Sequence, residues 1–244
     1  MLRQYLKSLY ERTMKEAYGA AFREMILPLG RGGECLDCGA NKGYWYHKIS
    51  EEIEFDKSRY YGIEWNQGHV EVARNKDLNV TQGDLNKGLP YGDEKFACVF
   101  ALSVLEHLLN GCRFIKECYR VLNNKGTLIL LTPNISTYFT VCLLLLGKMP
   151  SSGPHPDSDA LMLSEELYKV SNDNLRWDAE SDTPEYRHLV VFSFRVLRKY
   201  LKMVGFSQVT GYGFGLYPFP NFMQPLLEKI DPCHCHQMVF IARK

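Results

Sequence analysis

Two apolar runs constrain this chain more than any other feature. Residues 96–101, with Phe96, Cys98, Val99 and Phe100, and residues 126–132, with Leu128, Ile129, Leu130 and Leu131, carry almost no polar side chains. Between them, residues 112–122 read as a helix bearing Phe114, Ile115, Cys118 and Tyr119 on one side. Strands that are apolar on both faces must be covered on both faces. Successive strands joined by a helix run parallel. The alternation extends in both directions, with strands expected at 34–37, 60–64 and 79–82 and helices at 42–53 and 67–74. After a break it resumes with a helix at 193–204, Ser193 as its N-cap and Gly205 as its stop, then strands at 206–212 and 237–242. The fold class is α/β, a parallel sheet with helices on both faces.

The remaining segments surround this core. Residues 1–27 read as one or two amphipathic helices, with Leu2, Tyr5, Leu6, Leu9 and Tyr10 at helical spacing, ended by Pro28 and the glycines at 30, 32 and 33. Residues 134–188 break the rhythm. They begin with a helix at 138–146, continue through a loop at 148–159 rich in Ser, Pro, Gly and Asp, and reach a short helix around 164–170 and a polar tail. An irregular insertion of this length is usually functional, and its place after a strand end makes it a cap over the ligand crevice. Residues 213–232 form a second loop region with a short helix. The expected organisation is one domain over 1–244.

Composition excludes several function classes. A net charge of +1 without a dense basic run gives no pull toward nucleic acid or anionic membrane. Eight cysteines in a chain of 244 residues, half of them in apolar or helical stretches, do not form a secreted disulfide framework. Reduced thiols and a cytoplasmic location are expected. Charges run through residues 1–27, which lack the apolar core of a signal peptide. The longest apolar run, 138–146, is about half of the roughly 20 residues a spanning helix needs, so no integral membrane segment is expected.

Candidate site residues fall at the carboxyl ends of four successive strands, where open α/β sheets bind ligands. The first group is Asp37-x-Gly39-Ala40-Asn41-x-Gly43. Its glycines suit a tight strand-to-helix turn, and its carboxylate precedes the first glycine. A carboxylate there fits a ligand with an amino group or hydroxyls better than a pyrophosphate, and the spacing is not that of dinucleotide binders. The second is Glu64, placed to accept both hydroxyls of a ribose. The third is Asp84 with Leu85, for the exocyclic amine and the face of a purine. The fourth is Leu102, in the Ala101–Ser103 strand end. Each has a structural alternative: a plain turn, a surface acid, an Asx turn, ordinary core.

As a set these motifs resemble the class I S-adenosylmethionine-dependent methyltransferases. The resemblance includes Ser103-Val104-Leu105-Glu106-His107-Leu108, Leu131-Thr132-Pro133-Asn134 and Met203-Val204-Gly205-Phe206, and covers residues 33–134 and 188–212. It implies a Rossmann-like seven-stranded sheet with the last strand antiparallel. It implies S-adenosylmethionine as cofactor, its methionine end on Asp37 and the Gly39–Gly43 backbone, its ribose on Glu64, its adenine on Asp84 and Leu85. Two departures stand out. Asn41 occupies a common glycine position, and asparagine tolerates a left-handed backbone. Ala97 replaces a common aspartate.

The acceptor is less constrained. His188 is the candidate general base, with a capping role as its alternative. His107, His155, Asn134 and Tyr138 are the candidate acceptor contacts. Cys233-His234-Cys235-His236 has metal-ligand residue types but no second pair, and no metal is expected. The insertion, with Tyr138, Phe139 and Leu143–Leu146, is similar to methyltransferases encoded with glycan and lipid-linked sugar pathways. The expected activity is O-methylation of a small-molecule, sugar or lipid-linked acceptor by a monomer or homodimer, with no nucleic acid partner. The alternatives are a non-catalytic S-adenosylmethionine-binding regulator and a nicotinamide-dependent oxidoreductase.

Overall fold

A computed structural model of the protein describes residues 2–156, 158 and 187–244. The short helix expected around 164–170 lies outside them. Seven strands form one sheet: β1 (Cys35–Cys38), β2 (Tyr60–Glu64), β3 (Asn79–Gln82), β4 (Phe96–Leu102), β5 (Leu122–Pro133), β6 (Gln208–Phe214) and β7 (Gln237–Arg243). Their order is β3-β2-β1-β4-β5-β7-β6. Strands β1 to β5 pair in parallel, and β7 runs antiparallel between β5 and β6. The sheet is the one expected, and its order reverses between β1 and β4, where a ligand crevice opens.

Alternate residues along each strand feed two cores. On one face Leu36, Val99, Ala101, Leu128, Leu130 and Phe240 pack against α4 (Gly111–Val121) and α6 (Phe194–Val204). On the other, Cys35, Phe100, Ile129, Leu131 and Val239 pack against α1 (Leu2–Leu29), α2 (Tyr44–Glu52) and α3 (Gln67–Arg74). The remaining helices are α5 (Tyr138–Leu145) and α7 (Gln224–Ile230).

Helix α1 is one long helix whose buried stripe is Leu9, Thr13, Ala17, Ala21, Met25 and Leu29, an i, i+4 series. The alanines let it lie close on the sheet. Pro28 sits in its last turn rather than ending it, and having no N–H it forgoes one i→i−4 bond there. Strand β5 starts at Leu122, four residues before the expected start. The turn-like Asn123–Gly126 segment is taken into the strand with Lys125 at φ 71° and a register shift opposite Phe96–Cys98. Helix α6 begins after Ser193, whose side chain makes no capping bond, and Gly205 closes it at φ 118°.

Candidate active site

The β1–α2 turn is held by hydrogen bonds that leave none of its amides for an anion. Gly39 N and Ala40 N donate to Ile63 O at 2.8 and 3.1 Å, and Gly43 N donates to Ala40 O at 2.9 Å. Asn41 N donates to Glu64 Oε2 at 2.7 Å, and Lys42 N to Asn41 Oδ1 at 2.7 Å. Gly39 and Gly43 have φ 86° and 80°, and Asn41 supplies the left-handed conformation expected of it, at φ 47°. A Cβ on Gly39 would stand 2.6 Å from Val104 Cγ2.

Asp37 lies behind this turn. It is 1% exposed and accepts a bond from Tyr60 Oη at 2.6 Å. Burial drives its pKa up to about 7, and the nearby Glu64 carboxylate adds to the rise. Glu64 closes β2. Its Oε2 takes the Asn41 amide and its Oε1 takes the Asn66 amide at 2.9 Å, so it ties the two turns together. Asp84 accepts from the backbone and side-chain amides of Asn86, both through Oδ1, at 2.9 and 3.1 Å. That is an Asx turn, and its Oδ2 faces only exposed Lys87 at 3.8 Å. Leu85 and Leu102 are buried near the strand ends.

Beyond β4, Ser103 takes φ 56° and pairs its hydroxyl with Tyr18 Oη of α1 at 3.0 Å. Tyr18 also packs on Trp45 with ring centres 5.7 Å apart. Tyr10, one helical span before it, meets the His236 ring edge-on at 6.1 Å. Glu106 adds to the rise in the pKa of both tyrosines, after burial and other neighbours. Tyr10 and Tyr18 of α1 therefore lie near Glu106, with Tyr18 against the β4 end. The sequence signalled Tyr10 only as part of an amphipathic pattern and did not single out Tyr18.

Glu106, His107, His155 and His188 converge here. Glu106 is buried and accepts from Thr132 Oγ1 at 2.9 Å; burial raises its pKa. The main chain of 187–190 is stitched onto the Leu105–His107 turn by Leu189 N to Glu106 O at 2.7 Å. His107 Nδ1 meets Arg187 O at 3.0 Å, and His188 Nδ1 meets Ser152 O at 2.6 Å. The His188 ring stacks on His155 at 4.7 Å and meets His107 edge-on at 5.1 Å. Burial, with His107 and His155 alongside, pushes His188 down to about 3. Burial this deep disfavours the imidazolium form and weighs against His188 as a general base.

Asn134 is held in a polar network. It is fully buried. Its Nδ2 donates to Cys233 O and Cys235 O, and its Oδ1 accepts from Ser136 N, Ser136 Oγ and Phe194 N. A side chain so saturated staples β5 to the 233–235 loop and to α6, and has nothing left for an acceptor. Cys233 and His234 lie in a Pro232–His234 turn rather than a strand, with His234 Nδ1 on Asp231 and Cys235 buried. Tyr138 remains accessible. Its hydroxyl donates to Asp231 at 2.6 Å, its ring stacks on His234, and it lines a cavity of about 380 Å³ with Leu216, Phe219, Leu227 and Ile230.

Residues 36–130 match a family model described as a methyltransferase domain. A probable S-adenosylmethionine-dependent methyltransferase of Mycolicibacterium smegmatis is 30% identical over 110 residues, 44% of this chain and 40% of that protein. One from Mycobacterium tuberculosis is 27% identical over 117 residues, 47% and 41% of the two chains. The matches thus span about two fifths of the length of those curated relatives. A solved methyltransferase of Mesorhizobium loti superposes with TM-score 0.58 at 16% identity, covering 93% of this chain and 98% of that one. A Thermotoga maritima structure described as a possible histamine N-methyltransferase gives 0.56 at 17%, covering 99% and 97%.

Proposed function

We propose that this chain, a member of the class I S-adenosylmethionine-dependent methyltransferases, methylates an oxygen of an acceptor with an apolar portion, such as a lipid-linked sugar. Glu64 binds the ribose hydroxyls, Asp84 and Leu85 the adenine, Leu102 the adjoining wall, and the Gly39–Gly43 turn the methionine end. Asp37 contributes negative charge from behind the turn, because its burial withholds it from direct contact. When bound, S-adenosylmethionine would supply an electrophilic sulfonium methyl group. The chain's own part is positioning and exclusion of water, with Tyr10, Tyr18 and Trp45 closing one side. His107 and His155 face the acceptor.

One observation carries the apolar acceptor. Among the described residues, Val141, Leu144, Leu145 and Leu146 of α5 and its end, and Phe222, Leu226 and Ile230 around α7, are all exposed, with Leu145 at 83% and Phe222 at 84%. Tyr138 ties the two helices together beside the apolar cavity. Exposed apolar side chains gathered in this way mark an interaction surface. No helix among the described residues is long and apolar enough to cross a membrane.

The test is methyl transfer from radiolabelled S-adenosylmethionine to hydroxylated acceptors of increasing alkyl length. kcat/KM should rise by up to about fourfold per added methylene, the ceiling set by ~0.8 kcal/mol per buried CH₂. Leu145→Ser with Leu146→Ser should flatten the series. Equal rates at all lengths refute the apolar acceptor, and tight cofactor binding with persistent silence across the panel favours a non-catalytic binder.

A further inference from the structure

We propose that Glu106, His107 and His188 form a binding site for one divalent first-row transition-metal ion beside the cofactor crevice. One donor atom from each of the three lies within 4.8 Å of the others. Two imidazoles and a carboxylate are the donor set of open transition-metal sites, which keep positions free for oxygen ligands. Bonds of about 2.1 Å place neighbouring ligand atoms about 3–4 Å apart, so the three must close by roughly 1 Å around an ion.

The surroundings are those of a prepared site. His107 Nδ1 is paired with Arg187 O and His188 Nδ1 with Ser152 O. A histidine whose Nδ1–H is given to a backbone carbonyl presents Nε2 as a lone pair, and this is how metal-bound histidines are oriented. Glu106 is fixed in the same manner by the Thr132 hydroxyl. His155 stacks on His188 and restricts its ring. The Leu189–Glu106 backbone bond sets His188, 81 positions along the chain from His107, against the Leu105–His107 turn. These contacts restrain the three side chains whose donor atoms lie within 4.8 Å of one another. A purely structural histidine cluster does not require both Nδ1 atoms to be turned away.

The site's use rests on the O-methylation proposed above, whereas its existence does not. An acceptor hydroxyl bound to the ion becomes more acidic, as bound water does, and gives its proton to solvent before attack.

The test reads metal binding without turnover. The whole chain, freed of metal with a chelator, is titrated with CoCl₂ followed by visible absorption and with ZnSO₄ followed by calorimetry. One ion per chain is expected, with d–d bands of nitrogen and oxygen ligation. His107→Ala and His188→Ala should each weaken binding at least 100-fold. Glu106→Gln, which keeps size and shape, should weaken it at least tenfold while thermal unfolding and S-adenosylhomocysteine binding stay within error. No binding by the wild type, near-ultraviolet bands of cysteine ligation, or variants that bind as tightly as the wild type overturn the proposal. Metal binding without any methyl transfer would overturn the proposed activity and leave the site standing.

Discussion

Glu64→Gln separates the two tasks assigned to Glu64. In the structure both carboxylate oxygens accept backbone amides, Asn41 at 2.7 Å and Asn66 at 2.9 Å, at an 8% exposed position. Glutamine offers one oxygen and one NH₂, so one of the two amides must face a donor. Losing a charge-assisted bond and stranding a buried N–H costs about 2–3 kcal/mol. For a chain of this size that is a fall in Tm of about 5–10 °C. The cofactor effect is separate. Two ribose hydroxyls bonded to a carboxylate lose about 3 kcal/mol when charge and one acceptor disappear, roughly 100-fold in Kd. Urea unfolding at 25 °C reads the first, and calorimetry with S-adenosylhomocysteine at 10 °C, where the variant remains folded, reads the second. Unchanged stability would refute the two amide bonds, and unchanged affinity would refute the ribose assignment.

Three further outcomes follow from the geometry. Gly39→Ala forces a side chain into φ 86° with its Cβ 2.6 Å from Val104 Cγ2, and should destabilise by about 3 kcal/mol in urea; adding Val104→Ala should restore the steric part and leave about 1–2 kcal/mol of backbone strain. His236 is pushed down to about 4 by burial, below its unfolded value near 6.5, so its contribution is intact above pH 6.5 and is lost as pH falls from 6.5 through 4. His236→Gln should therefore flatten the acid limb of stability by up to about 3 kcal/mol, and an unchanged pH profile would contradict the burial of that ring. Iodoacetamide should label the exposed Cys112 and Cys142 of the native protein rapidly and leave Cys35, Cys38, Cys98, Cys118 and Cys235 untouched until denaturation, as peptide mass mapping would show.

Local patterns carried most of the fold. The apolar runs of β4 and β5 announced a doubly covered parallel sheet, and the Asp37–Gly43 and Glu64 motifs announced the crevice, because each depends on residues within one turn or one strand end. What escaped depends on contacts between distant segments. Asn134 looked like an acceptor contact at a strand end, but its partners Cys233, Cys235 and Phe194 lie 60 to 101 positions away. The histidines at 107, 155 and 188 were noticed one by one. Their convergence needed the 187–190 strap, whose bond to Glu106 has no sequence pattern. Tyr10 and Tyr18 were legible as helix residues only, since the sequence does not say how far α1 reaches past the strand ends. The Cys233-His234-Cys235-His236 residues carry no extended segment at their start, because Pro232–His234 turns.

Cofactor and acceptor are proposed to meet where β1, β2 and β4 end. A crystal structure with S-adenosylhomocysteine bound should show the ribose on Glu64, the adenine between Asp84 and Leu85, and the sulfur pointing toward Glu106, His107 and His188. A ligand seated elsewhere, or with its sulfur turned away from the histidines, would contradict it.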